Sequence, residues 1–278
     1  MISMNVKLSK GVLMPQIGLG VYKMTDEEET IHAIRTAIET GYRAIDTASY
    51  YFNEREVGQA IKESGIAREE LFITTKVWND DQGYDNTLRA FEKSLELLGL
   101  DYIDLYLTHW PVPEKFTDTY RAIERLYEEK AIRLPGVSNH YEKHLLALEN
   151  TANVQPEVNQ VELHPYLQQN ELRAFCKERD IAITAWSPIG KGTVLSDPLI
   201  QSIAKNKGKT PAQIVLRWHI QLGNIVIPKS VTASRIKENF SLKDFELSGS
   251  EMEKIGRLDR NGRLGANPQL DDFMKYFK

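Results

Sequence analysis

The sequence has a single cysteine, Cys176, so no disulfide can form within the chain. It sits in a helical-looking stretch, where a small buried hydrophobe is expected. No cluster of Cys and His and no His-Glu-x-x-His run offers a metal site. No stretch approaches the roughly 18 apolar residues of a membrane span. The opening MISMNVKLSKG lacks the apolar core of a signal peptide, so the cytoplasm is the expected address. Positive charge is not in excess: the net charge is −4, which gives no general surface for nucleic acid. No Pro/Gly/Ser-rich linker or block of like charge divides the 278 residues, so 1–278 read as one domain.

What is present is an alternation. Strand-like runs fall at 16–20, 42–46, 71–76, 102–108, 131–138, 156–161, 181–186 and 224–227. Between them apolar residues recur at helical spacing, as in Ile31, Ile34 and Ile38, or Leu88, Phe91, Leu95 and Leu98. Gly41, Gly65 and Gly99 follow such stripes as stops. Thr25, with Glu28 three residues on, predicts a capping box for the first helix. Residues before 16 predict a short hairpin around Ser9-Lys10-Gly11, and the tail after Leu258 predicts a C-terminal loop.

Repeated strand–helix units imply a parallel α/β sheet. A dinucleotide-binding Rossmann domain requires Gly-x-Gly-x-x-Gly after a strand. Gly18 and Gly20 begin that pattern, but Lys23 occupies the third position, and Gly190 and Gly192 also lack their third glycine. Eight strands in about 250 residues instead predict a closed (β/α)8 TIM barrel.

In such barrels the chemistry lies at the C-terminal strand ends. Three of those ends carry Asp46, Lys76 and His109, and Tyr51 lies just past Asp46. Singly each has an ordinary reading: a turn cap, a solvated strand end, an interior histidine, a packing ring. Together they form a coherent acid-catalysis set. A phenol has an ordinary pKa near 10, and a neighbouring ammonium is expected to lower it. A carboxylate would hold that ammonium, and an imidazole would polarise a carbonyl.

At these residues the chain resembles the aldo-keto reductase family. The matching runs are Gly41-Tyr-Arg-Ala-Ile-Asp-Thr-Ala48 with Tyr51 and Asn53-Glu54, Thr75-Lys76-Val-Trp78, and Asp104-Leu-Tyr-Leu-Thr-His-Trp-Pro111. They continue with Gly136-Val-Ser-Asn139, Asn159-Gln160 with Glu162 and His164-Pro-Tyr166, Ala185-Trp-Ser-Pro188, and Ile227-Pro-Lys-Ser230. The chain is most similar to bacterial 2,5-diketo-D-gluconate reductases and methylglyoxal reductase-like members. The resemblance implies NADPH-dependent reduction of a small aldehyde or ketone by a monomer, with Tyr51 as proton donor and Asp46, Lys76 and His109 completing the tetrad. It implies that Ser138, Asn139 and Gln160 hold the nicotinamide carboxamide, that Trp186 stacks on the ring, and that Ser187 through Ile189 line the pyrophosphate. Lys229, Ser230 and Arg235 would grip the 2′-phosphate, with Glu238 and Asn239 at the adenine. Tyr22, Trp78 and Trp110, besides His109, would line the substrate pocket.

The phosphate assignment also has a physical basis. Lys229 and Arg235 follow the eighth strand, where barrels often bind phosphate, and Arg235 lies at the start of a helix, whose N-terminus favours anions. Lys237 on that helix reads as a solvated charge. Two other functions fit the pattern less well: a non-catalytic NADPH-binding module, which does not need the tetrad, and a barrel hydrolase or lyase without nicotinamide. One departure is Pro135, which cannot donate to a strand ladder and predicts a local irregularity near Ser138 and Asn139.

Overall fold

Short apolar runs and helical repeats build alternating strands and helices in the computed structural model, which describes residues 5–270 and 272–277. A hairpin of β1 (Asn5–Lys7) and β2 (Leu13–Pro15) comes first. Eight parallel strands follow: β3 (Gly18–Gly20), β4 (Ala44–Asp46), β5 (Phe72–Val77), β6 (Ile103–Thr108), β7 (Ile132–Ser138), β8 (Val158–Glu162), β9 (Ala182–Trp186) and β10 (Ile225–Val226). Each pairs with the next. The sheet then closes on itself, because Ile17 bridges Val226 in parallel and the Val226 N–H donates to the Gln16 carbonyl at 3.0 Å. This is the expected (β/α)8 barrel.

The seam explains the Gly18-Leu-Gly20 run. A Cβ on Gly20 would lie 2.7 Å from the Ile227 carbonyl oxygen, and one on Gly18 would lie 3.1 Å from the Ala44 Cβ. These glycines let the first barrel strand approach its neighbours closely.

Helices α1 (Glu27–Thr40), α2 (Glu54–Ser64), α3 (Tyr84–Leu98), α4 (Phe116–Glu128), α5 (Glu142–Glu149), α6 (Asn170–Lys177), α7 (Pro198–Lys207), α8 (Pro211–Gln221), α9 (Ala233–Phe240) and α10 (Gly249–Gly256) complete the regular structure. Cys176 is buried in α6, as expected. Inside the barrel, Leu105, Leu107, Leu134, Val158 and Ile225 pack together with Leu8 and Met14 of the hairpin segment. The hairpin therefore plugs one barrel end. Its Ser9 N–H and hydroxyl both donate to the buried Glu157 carboxylate, at 2.9 and 2.5 Å.

Three expectations change. The cap of α1 is Asp26, not Thr25: its carboxylate accepts the Glu29 N–H at 2.8 Å. Aspartate fills that role as well as threonine, and the helix starts one residue later. Pro135 causes no irregularity, because β7 runs unbroken through it. The Pro135 carbonyl accepts the Glu157 N–H at 3.0 Å, so its missing donor falls on the same side, before β8 begins at Val158. The tail is mostly loop but ends in a 3₁₀ turn, Phe273–Phe277. Among the described residues no helix is long and apolar enough to cross a membrane.

Candidate active site

Asp46 closes β4, Lys76 is the fifth residue of β5, and His109 directly follows β6. The Lys76 side chain is fully buried, and an ion there must be partnered. All three of its N–H groups are used: 2.6 Å to Asp46 Oδ1, 2.8 Å to the Thr47 carbonyl and 3.4 Å to the Tyr51 hydroxyl. Asp46 Oδ2 accepts from Gln160 Nε2 at 2.7 Å. A 3₁₀ turn, Ser49–Tyr51, presents Tyr51. Ser49 Oγ fastens that turn to β5, donating to the Lys76 carbonyl at 3.0 Å and accepting the Trp78 N–H at 3.2 Å. Asn53 fixes its far side, donating to the Val21 and Met24 carbonyls at 2.9 and 3.1 Å. The His109 ring stands edge-on to Tyr51, with centroids 5.7 Å apart.

The electrostatics differ from the sequence expectation in one respect. The Tyr51 phenol lies well above its ordinary pKa, chiefly through burial and then through the charges of Asp46 and Tyr22. Burial outweighs the ammonium, so the phenol keeps its proton at neutral pH. Burial also pulls Lys76 below the usual lysine value, against the opposing pull of Asp46 and Glu54. His109 falls well below the usual imidazole value through burial and the Lys76 charge, so its ring is neutral.

Next to this set lies a hydrogen-bonded patch. Ser138 Oγ donates to the Gln160 carbonyl at 2.7 Å, and Asn139 Nδ2 donates to the His109 carbonyl at 3.0 Å. Trp186 Nε1 donates to Asn139 Oδ1 at 2.9 Å. Ser138, Asn139, Gln160 and Trp186 are thus brought together, and Gln160 joins them to Asp46. No hydrogen bond to the Gln160 amide oxygen occurs among the described residues, which suits it to accept from a carboxamide.

After β10 a cleft of about 430 Å³ is lined by Ile189, Lys229, Ser230, Arg235, Glu238 and Asn239, all expected from the sequence. Lys229 and Arg235 are exposed, with no ion pair or side-chain hydrogen bond among the described residues, as a phosphate site requires. Lys237 is exposed and outside this lining. Trp186 and Ser187 are also outside it: Trp186 ends β9, and Ser187, with φ 49°, follows. Leu195 and Thr210 also line the cleft and were not expected. Thr210 donates to Glu238 Oε1 at 2.6 Å.

The mouth is aromatic. Tyr22 lies 4.9 Å from Tyr51, and Trp78 stands edge-on to His109 at 5.0 Å, centroid to centroid. Trp110 is buried with Ala266 and Phe273. Sequence reasoning missed Tyr50, stacked on Trp78 at 3.7 Å, and Phe277, 4.9 Å from Trp110. The four-residue spacing of Phe273 and Phe277, one helical turn, was the available signal in a tail read only as loop. Among the described residues no three His, Cys, Asp or Glu groups converge to hold a metal ion.

The structure thus places a buried Lys–Asp pair under a tyrosine at the mouth of a parallel barrel, with a cleft lined by exposed cations after β10. The chain belongs to the aldo/keto reductase family, whose model matches residues 16–260. The family is one of NADP(H)-dependent oxidoreductases, as the motifs implied. A "9,11-endoperoxide prostaglandin H2 reductase" from Trypanosoma cruzi is 55% identical, over 95% of this chain and 94% of that protein. A "Glyoxal reductase" from Bacillus subtilis is 53% identical, over 95% of each. Among solved structures, a variant of Gox0644 in complex with NADPH superposes with a TM-score of 0.92 at 43% identity, covering 97% of this chain and 98% of that one.

Proposed function

We propose that the chain reduces a small dicarbonyl compound to a hydroxy-carbonyl product with NADPH, and that Tyr51 gives the proton. The observation that carries this reading is the Tyr51 hydroxyl, 3.4 Å from a fully buried lysine that is itself paired to Asp46 at 2.6 Å. When bound, NADPH supplies the hydride. Tyr51 is protonated beforehand and passes its proton to the substrate oxygen. Lys76 stabilises the phenolate left behind, and Asp46 keeps Lys76 charged and aimed. Neutral His109 donates a hydrogen bond to the carbonyl oxygen, where negative charge develops.

Ser138, Asn139 and Gln160 are the proposed holders of the nicotinamide carboxamide, and Trp186 the surface against its ring. Ser187 and Ile189 would face the pyrophosphate, Lys229, Ser230 and Arg235 the 2′-phosphate, and Glu238 and Asn239 the adenine. Tyr22, Trp78 and Trp110 form the wall where the substrate sits. The dicarbonyl preference rests on the relative named glyoxal reductase and on chemistry: a second carbonyl withdraws electrons from the first and makes it a better hydride acceptor. Glyoxal and methylglyoxal, whose carbonyls are adjacent, have this feature; the two ketones of 2,5-diketo-D-gluconate stand two carbons apart and gain little from it.

The test is NADPH consumption with glyoxal, methylglyoxal, 2,5-diketo-D-gluconate and an isolated aldehyde, in wild type and Tyr51→Phe. The adjacent dicarbonyls, glyoxal and methylglyoxal, are expected to show the higher kcat/KM. Tyr51→Phe is expected to lose about 10²–10⁴-fold in kcat while binding NADPH as before. Substantial turnover by pure Tyr51→Phe would assign the proton to another group. Tight NADPH binding by the wild type without turnover of any carbonyl would favour a non-catalytic module.

A further inference from the structure

We propose that Glu162 is a positioning residue that fixes the C-terminal segment against Trp186. It thereby sets how tightly the cofactor is held and how bulky a carbonyl the mouth admits. This inference rests on the reading that Trp186 faces the nicotinamide.

Glu162 is the last residue of β8 and only 1% exposed. It lies two residues beyond Gln160, so its side chain leaves the strand on the same side. A carboxylate buried there is costly unless its oxygens are partnered. The partners come from about a hundred residues further along. Oε1 accepts the Leu264 N–H at 2.6 Å and Oε2 accepts the Gly265 N–H at 2.9 Å. His164 Nε2 stands 3.1 Å from Oε1, and the Arg263 guanidinium lies 3.9 Å from Oε2. No step proposed above uses this carboxylate.

Two successive backbone donors on one carboxylate fix the orientation of the segment as well as its place. That orientation presses Gly265 onto the indole. A Cβ there would lie 2.6 Å from Trp186 Cη2 and 3.2 Å from Glu162 Oε2. Trp186 is also the register partner of Glu162 across β8 and β9. The next residue, Ala266, is buried with Trp110 and Phe273 of the substrate wall. On its other side, the Leu264 carbonyl accepts Lys191 Nζ at 3.2 Å. Lys191 belongs to the turn Gly190–Ser196, which directly follows Ile189 of the cleft. One anchored segment therefore touches the ring-stacking surface, the turn beside the phosphate cleft and the aromatic wall.

The test compares Glu162→Gln, Gly265→Ala and Lys191→Met with wild type. In Glu162→Gln, the new NH₂ faces a backbone donor it cannot accept from. Amide exchange at Leu264 and Gly265 is expected to accelerate in cofactor-free protein. The NADPH Kd, read by tryptophan-fluorescence quenching, is expected to weaken about tenfold, as for one lost charge-assisted bond. KM for a bulky aromatic aldehyde is expected to rise more than KM for glyoxal. Gly265→Ala, a wedge against Trp186 with Glu162 intact, is expected to reproduce the NADPH and KM effects. Lys191→Met is expected to weaken NADPH while leaving the Gly265 amide protected. Faster exchange in Glu162→Gln with unchanged NADPH Kd and unchanged KM ratio would reduce Glu162 to a tail anchor and overturn the proposal. Should Glu162→Gln fail to fold, unchanged NADPH affinity in both other variants overturns it equally. A wild type that does not bind NADPH would instead defeat the functional reading above.

Discussion

At the scale of single residues, the candidate site opposes burial with specific partners. Burial holds the Tyr51 phenol well above its ordinary pKa, so it keeps its proton, as the proposed donor must before the reaction. In the proposed reaction Lys76 is needed once that proton leaves, and its three hydrogen bonds hold it in place. The cleft after β10, the proposed cofactor site, follows the opposite design, with Lys229 and Arg235 left exposed and unpaired among the described residues. NADPH differs from NADH by one phosphate, so a residue that reads that group must discriminate between them. Arg235 offers a planar fork suited to phosphate, and a charge-assisted bond contributes about 1.5–3 kcal/mol. Arg235→Ala is therefore expected to weaken NADPH binding by one to two decades and NADH binding far less. Fluorescence titration of both cofactors checks it. Equal losses would mean that Arg235 does not read the 2′-phosphate. High salt should also narrow the wild-type preference, because the site is open to solvent.

At the scale of elements, legibility followed locality. Strands and helices were readable because each carries its own apolar period, and Asp46, Lys76 and His109 were readable because strand ends can be counted. The Asp26 cap was missed by one residue because Thr25 and Asp26 are both good caps. Pro135 misled because its effect depends on where β8 begins, which the local sequence does not state. The Glu162 anchor was invisible as an anchor, since its partners lie in an irregular tail with no period to read. Gly58 gives the same lesson as a prediction. It lies inside α2, where alanine is normally the better helix former by about 1 kcal/mol. Here a Cβ would lie 2.2 Å from the Leu98 carbonyl oxygen and 2.6 Å from its carbon, at the end of α3. The obstacle is backbone and cannot rotate away. Gly58→Ala is expected to destabilise by about 1–3 kcal/mol, as overpacking does, and urea unfolding measures it. A variant as stable as wild type would show that α2 and α3 separate freely.

At the scale of the whole molecule, closing the barrel buries polar groups along with the core, and several of them are histidines held neutral. Burial, the largest cause in each, pushes His140 and His219 down to about 3 and His144 down to about 4. The bonding of His219 fits a neutral ring. Nε2 lies 3.0 Å from the Pro188 carbonyl and donates to it, while Nδ1 accepts from Asn224 at 3.3 Å. Histidine in the unfolded chain titrates near 6.5. Between about pH 4 and that value the unfolded state binds protons that the folded state refuses, so acid favours unfolding. The contribution is fully present above the unfolded value and is lost as pH falls towards the folded one. Each such histidine adds a slope approaching about 1.4 kcal/mol per pH unit. Carboxylates contribute over part of the same range, so one histidine must be isolated by difference. Glutamine at position 219 can donate and accept as the neutral ring does, yet it cannot titrate. Urea unfolding of wild type and His219→Gln from pH 7 to pH 4.5 is therefore expected to give free-energy curves that converge towards acid. The wild type should lose up to about 1.4 kcal/mol more per pH unit below the unfolded value. Parallel curves would mean that the buried ring accepts its proton without unfolding the barrel, through a rearrangement around Pro188 and Asn224.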